Sequence, residues 1–258
     1  MGAGHGGGTG GFHTHRDTPV HRLAPEVKVA ATLAFVAVVV ATPWHLGWLF
    51  AFHALLAGTA AGLARLRPGF VLRALRFDLP FVGFAVLLPL VGQAPRVEVA
   101  GLALSRPGLV AAGTILAKSV LGLAASLVLV ATTPPADVLA GLERLRVPRV
   151  LVAIAGFMVR YLDVIAADAR RTRIARLSRA DDPRWLWQAR AVAATAGTLF
   201  VRSYERGERV HLAMLSRGYD GAMPALHQAR AGRAQWLAAM AIPATAALAL
   251  LLATVALR

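Results

Sequence analysis

Long apolar runs separated by arginine-rich segments constrain this chain more than any other feature of its sequence. The runs fall at about 27–42, 46–64, 77–92, 108–131 and 235–257. A helix crosses the hydrocarbon core of a bilayer with about 20 predominantly apolar residues, so the pattern predicts a polytopic membrane protein with five spans. The third run is interrupted by Asp78, Pro80 and Pro89. The composition, 57% hydrophobic and 16% charged, departs in the expected direction from the roughly 45–50% and about 25% of soluble domains.

The net charge of +15 would suggest nucleic acid in a soluble protein. Here topology accounts for it, because short cytoplasmic loops collect Lys and Arg. Loop 65–76 carries Arg65, Arg67, Arg73 and Arg76 and no acid, and segment 132–234 carries 17 arginines against nine acids. Loop 93–107 has only Arg96 and Arg106, opposed by Glu98. Alternation then places the N-terminus, 65–76 and 132–234 inside, and 93–107 and the C-terminus outside. The expected location is the bacterial inner membrane, multi-pass, with the lipid bilayer and not nucleic acid as the surroundings.

Four regions follow. Residues 1–24 form a Gly- and His-rich cytoplasmic tail, 25–131 hold four spans, 132–234 form a cytoplasmic helical region, and 235–258 the last span. The tail has no apolar stretch of the kind a signal peptide needs. His5, His13, His15 and His21 could collect a transition-metal ion, or be scattered side chains of a disordered leader. There are no cysteines, which excludes disulfides and thiolate metal sites. Trp44 and Trp48 suit a membrane interface, and His45 and His53 are expected at that interface beside them.

Segment 132–234 is much longer than a loop requires and reads as helix. Pro134, Pro135 and Asp137 give a start signal, and Pro148 a break. Beyond it Ile154, Phe157, Met158, Tyr161, Leu162 and Ile165 recur at helical spacing, followed by Arg170, Arg173, Arg176 and Arg179. Asp181-Asp182-Pro183 makes a turn. A second helix is expected from near Trp185 to about Arg217, with Leu199, Phe200, Tyr204, Gly207, His211 and Met214 on one face. Its other face holds Arg202, Glu205, Arg206, Glu208 and Arg209, with Glu205 and Arg209 at the favourable i,i+4 spacing. The predicted fold class is therefore all-α, with about five transmembrane helices and two long cytoplasmic amphipathic helices.

Each amphipathic helix ends in an arginine between small residues: Ser178-Arg179-Ala180 and Ser216-Arg217-Gly218. The helices could pack as a hairpin, lie on anionic lipid, or dock their ends into a partner, for which the planar, permanently charged guanidinium is suited. Enzyme chemistry finds little support: there is no GxxxxGK[ST] phosphate loop and no nucleophile–His–acid arrangement. Asp163 and Asp168, five apart, suit pairing with Arg160, Arg171 or Thr172, by charge or hydrogen bond, better than metal binding.

The run from Leu139 through Ser216-Arg217-Gly218-Tyr219 resembles the T component of energy-coupling-factor (ECF) importers of the cobalt type. The resemblance is carried by Thr132-Thr133-Pro134 with Asp137 and Leu139, by Leu142 to Arg149 (LERLRVPR), and by Arg160-Tyr161. Asp168-Ala169, Arg171, Arg173, Ala175-Arg176 and Arg179 extend it, and Pro25-x-x-Lys28 fits the family's N-terminal pattern. The family signature is Ala-Arg-Gly or a near variant, twice; both arginines are kept here.

The resemblance implies a coupling subunit that is not itself an enzyme. Two ABC ATPase subunits would bind ATP and Mg and receive the helix ends at Ser178, Arg179, Ala180 and at Ser216, Arg217, Gly218. Their motion would pass to a separate substrate-binding membrane subunit gripped around Phe157, Tyr161, Phe200, Tyr204 and Met214. Cobalt ion is the implied cargo, held in that partner. Nickel, biotin or another vitamin remains open as cargo, as does a protein whose basic helices bind anionic lipid.

Overall fold

The computed structural model describes residues 18–66, 69, 74–92, 95–99, 102–179, 189–221 and 231–256. Among them are eight α-helices: α1 Pro25–Ala41, α2 Gly47–Leu63, α3 Leu79–Val91, α4 Arg106–Thr132, α5 Pro135–Arg144, α6 Arg149–Leu177, α7 Ala189–Leu215 and α8 Arg233–Ala256. Short 3₁₀ turns at Trp44–Leu46 and Leu75–Asp78 lead into α2 and α3. The all-α expectation holds, with one addition: strands Arg96–Val99 and Leu102–Ser105 pair as an antiparallel hairpin between α3 and α4. Ser105 then caps α4, its Oγ accepting from the Gly108 N–H at 3.2 Å, which satisfies one of the orphan donors of the first turn.

Among the described residues, four helices are long and apolar enough to cross a membrane: Trp44–Leu63, Arg106–Thr132, Arg149–Leu177 and Arg233–Ala256. Helices α1 and α3 have 17 and 13 residues, and α3 carries Pro89 within it. The unexpected member is α6, assigned by sequence to the cytoplasmic region. Its first half is almost wholly apolar, while its second half holds Arg170, Arg171, Arg173 and Arg176.

The described residues divide into two compact units, one within 18–145 with 231–256, the other within 146–221. The first unit is a bundle. Phe35 and Val39 of α1, Ala57 of α2, Leu121 of α4 and Ala246 of α8 form its buried core, and Leu46, Leu49 and Ala253 form a second cluster. Alanines at these contacts let helix backbones approach closely, as is usual where lipid removes the hydrophobic drive between helices. Helix α3 packs along α4 and turns Phe81, Phe84, Leu87 and Leu90 outward. An outward apolar face is what contact with acyl chains requires.

The polar groups inside the bundle are few. The Lys28 ammonium donates to the Thr132 carbonyl at 3.0 Å and to the His21 carbonyl at 3.4 Å. It thereby places a cation at the C-terminal end of α4, where the helix dipole favours one. His53 does not lie at the interface as the sequence suggested. It is fully enclosed in the bundle, edge-on to Phe35 at a ring-centroid distance of 6.1 Å. The helical phase of α2 turns His53 inward, while Trp44 and Trp48, 64% and 61% exposed, face outward.

The second unit contains α6 and α7. They pack antiparallel, since Arg176 reaches Thr195 (3.4 Å) and Arg206 reaches Asp168 (2.9 Å).

Candidate functional site at two helix ends

The hairpin of α6 and α7 is fastened by charge as well as by apolar contact. Asp168 accepts from Arg171 one turn on and from Arg206 across the hairpin. The sequence had placed Arg206 on the solvent face of α7. Instead the half-buried face is Leu199, Ser203, Arg206, Val210 and Met214, and Glu205 and Arg209 remain outside at 3.9 Å from each other.

This rotation separates the five aromatic and methionine candidates. Phe157 and Tyr161 stack at 6.4 Å and line a cleft of about 190 Å³ with Ser203, Arg206, Gly207 and Val210. Met214 is half-buried. Phe200 and Tyr204 point away, 71% and 61% exposed. They continue an apolar flank on α7, and Ile154, Met158 and Leu162 make a comparable exposed row on α6.

The two arginine-bearing ends share a local geometry. At the end of α6, the Ser178 Oγ donates to the Ala175 carbonyl at 3.0 Å, and the Arg179 N–H to the Arg176 carbonyl at 3.0 Å. At the end of α7, the Ser216 Oγ donates to the Ala213 carbonyl at 3.0 Å, and the Arg217 N–H to the Met214 carbonyl at 3.0 Å. The second end closes with Gly218 N–H to Leu215 and Tyr219 N–H to Met214, both at 3.0 Å. This is a Schellman termination, and it needs the left-handed residue that Gly218 supplies at φ +80°. Ala180, beside Arg179, lies outside the described residues, as do the tail histidines His5, His13 and His15.

Arg179 and Arg217 are exposed, and among the described residues neither has an ion-pair partner. Because the hairpin is antiparallel, the two arginines sit at its opposite ends. Helices of 29 and 27 residues rising 1.5 Å per residue separate them by roughly 40 Å. One partner groove cannot receive both.

The family model described as CbiQ, cobalt transport protein, matches residues 16–228. The chain belongs to the CbiQ cobalt transport protein family. The matched stretch runs from before α1 to beyond the end of α7, so it includes both arginine ends. Among curated relatives, the cobalt transport protein CbiQ of Rhodobacter capsulatus is 36% identical over 98 residues, which is 37% of this chain and 39% of that protein. A putative fused cobalt transport protein CbiMQ of Methanocorpusculum labreanum is 29% identical over 92 residues, covering 36% of this chain and 15% of that protein. An uncharacterized protein of Methanocaldococcus jannaschii is 31% identical over 90 residues, 35% of this chain and 34% of its own length. The matches span well under half the length of these curated relatives. CbiQ-family membership and the apolar helices together mark a membrane protein.

Two features of this CbiQ-family chain escaped the sequence reading. Ala-x-Leu-Ser-Arg occurs twice, at 175–179 and 213–217, and each copy makes the same serine back-bond; a search for short internal repeats would have found it. The second feature is a buried carboxylate, Glu26. Its Oε2 accepts from Arg144 at 2.7 Å and its Oε1 from the Ala231 N–H at 2.9 Å. No local pattern signals that meeting, because the partners are 118 and 205 residues away.

Proposed function

We propose that this chain is the transmembrane coupling subunit of a cobalt-type ECF importer. The observation that carries the reading is the pair of exposed arginines, Arg179 and Arg217, on similarly built helix ends at opposite ends of one antiparallel hairpin. Each guanidinium can pair with carboxylates or carbonyls of a separate ATPase groove. A stiff hairpin between them converts the approach of two ATPases into motion of α6 against α7. ATP and Mg belong to those ATPases, and the cobalt ion to a separate membrane subunit gripped along the exposed flanks that include Phe200 and Tyr204. The chain itself performs no catalysis. Its N-terminus faces the cytoplasm, the side on which the arginines of 132–234 gather.

A second reading is favoured by α6, which is apolar enough to span a membrane: the hairpin lies in or on the bilayer, with its arginines on lipid phosphates.

Co-purification in detergent with the ABC ATPases of the same transport system separates the two. Wild type is expected to retain the ATPases, Arg179→Glu and Arg217→Glu each to weaken retention, and the double variant to abolish it while remaining folded. Retention unaffected by the double reversal sinks the docking assignment. Salt-sensitive flotation with anionic vesicles, without ATPase retention, supports the lipid reading instead.

A further inference from the structure

The coupling reading requires that motion of α6 and α7 reach the bundle, and the stretch that carries these two helices joins the bundle at two points in sequence, after Leu145 and before Ala229. Both connections begin from segments that a single side chain holds inside the bundle. Glu26, in the first turn of α1, is 5% exposed. One of its oxygens takes Arg144, the last residue of α5. The other takes the backbone N–H of Ala231, two residues before α8 begins.

The surroundings keep this carboxylate in place. Gly141 lies so close to α1 that an added Cβ would stand 2.9 Å from the Glu26 nitrogen and from the Pro25 carbonyl carbon. Helix α5 therefore meets the start of α1 backbone to backbone. Lys28, two residues on, ties α1 to the end of α4 through the Thr132 carbonyl. Arg146, directly after α5, has φ +66°, a left-handed conformation that a non-glycine residue keeps only where its neighbours hold it.

We propose that Glu26 is a positioning residue that clamps both covalent connections of the α6–α7 unit to the first turn of α1. Force carried along a stiff element is passed on only if its attachments have no slack. Without the clamp, movement of α6 and α7 would be taken up in residues 145–148 and 231–232. With it, movement is delivered to α1, which packs against α4, α5 and α8. The proposal rests on the coupling reading for its function; the clamp itself is a property of this chain alone.

The clamp is tested first on the isolated full-length chain in nanodiscs, by amide hydrogen exchange. Glu26→Ala is expected to speed exchange at least tenfold at both 144–147 and 231–233. Arg144→Met is expected to speed it at the first segment only. Glu26→Gln, which keeps an acceptor for the Ala231 N–H, should also release the first segment and spare the second. A Glu26→Ala chain that loosens one segment or neither overturns the clamp, and the milder Gln and Met variants decide the matter if the alanine variant does not fold.

The coupling role is then read in the complete transporter. Glu26→Ala is expected to keep ATPase retention and ATP hydrolysis within twofold of wild type while radiolabelled cobalt uptake falls at least tenfold. Unchanged uptake with both segments loosened overturns the positioning role. If wild type itself retains no ATPase, the coupling reading fails, and the exchange pattern still decides the clamp.

Discussion

Arg206 of α7 donates to the Asp168 carboxylate of α6 at 2.9 Å across the hairpin, and the two residues are 38 apart in sequence. The same carboxylate takes Arg171 from its own helix, so one acid organises two arginines and sets the register of α6 against α7. Asp168→Asn and Arg206→Ala are both expected to let the helices separate near their midpoint. Spin labels at Leu162 and His211 should report a broader distance distribution in either variant, and an unchanged distribution would show that apolar contact alone sets the register. The pair is partly open to water, and pairs of that kind contribute little to global stability. Thermal unfolding should shift far less than the distance distribution does.

Gly218 is the residue at which the second helix end depends on backbone freedom. An L-residue with a side chain costs about 1–2 kcal/mol in the left-handed conformation, so Gly218→Ala should reduce the population of the native α7 end by roughly 5- to 30-fold. ATPase retention is expected to fall in proportion, while the α6 end is untouched. A retention assay with Gly218→Ala in the Arg179→Glu background measures the α7 end by itself. Equal retention with and without the alanine there would remove Gly218 from any part in presenting Arg217.

Gly141 tests the close approach of α5 and α1. A methyl group placed 2.9 Å from two backbone atoms cannot be relieved by a side-chain rotation, so the helices must move apart. Overpacking of this kind typically costs about 1–3 kcal/mol. Gly141→Ala is therefore expected to lower the unfolding midpoint in detergent by several degrees and to speed exchange at Arg144 and Leu145. An unaltered midpoint would mean that α5 is free to shift at no cost.

The pH response of Glu26 has a definite sign. Burial alone would raise its carboxyl, but the Ala231 N–H and Arg144 outweigh burial and hold it below the usual carboxylate range. A group whose folded value is lowered stabilises the fold fully above its unfolded value, about 4.3 for Glu. That contribution is lost as pH falls through the lowered value. Segment 144–147 should therefore stay protected from neutral pH to about pH 4 and loosen only below it, while 231–233 stays protected because a protonated Glu26, like Gln, keeps an acceptor for the Ala231 N–H. Comparing wild type with Glu26→Gln isolates the effect from the other acids. The difference between the two at 144–147 should be present at neutral pH and vanish in strong acid, and a difference that grew with acidification would have the wrong sign.

The arginine ends, the apolar runs and the proline that opens α6 were all legible in the sequence because each is local. A helix end needs only its own last turn: Ser178 and Ser216 bond to carbonyls three residues back, and Gly218 sits where a Schellman turn demands it. The family resemblance was legible for the same reason, as short ordered motifs along one strand of sequence. Its separate pieces turn out to be joined in space. Lys28 of the Pro25-x-x-Lys28 element donates to Thr132 of the Thr132-Thr133-Pro134 element, and Glu26 pairs with Arg144 of the stretch 142–149.

Helical phase was the point at which sequence reasoning gave way to tertiary packing. Phe200 and Tyr204 look like core on a helical wheel, yet α7 turns Ser203 and Arg206 toward α6, because Asp168 offers Arg206 an ionic partner and Phe157 and Tyr161 fill the adjoining space. His53 was displaced in the opposite sense, from an expected interface to the bundle interior. Periodicity states which residues share a face; it does not state which face finds a partner. Composition and order thus determined an all-α membrane protein with arginine-tipped helices, since hydrophobic length and local hydrogen bonding act within one segment. Only the tertiary structure decided that α6 and α7 run antiparallel, with their arginines at opposite ends. It alone brought residues 26, 144 and 231 together on one carboxylate, since a buried charge is settled by whichever distant partners the packing delivers to it.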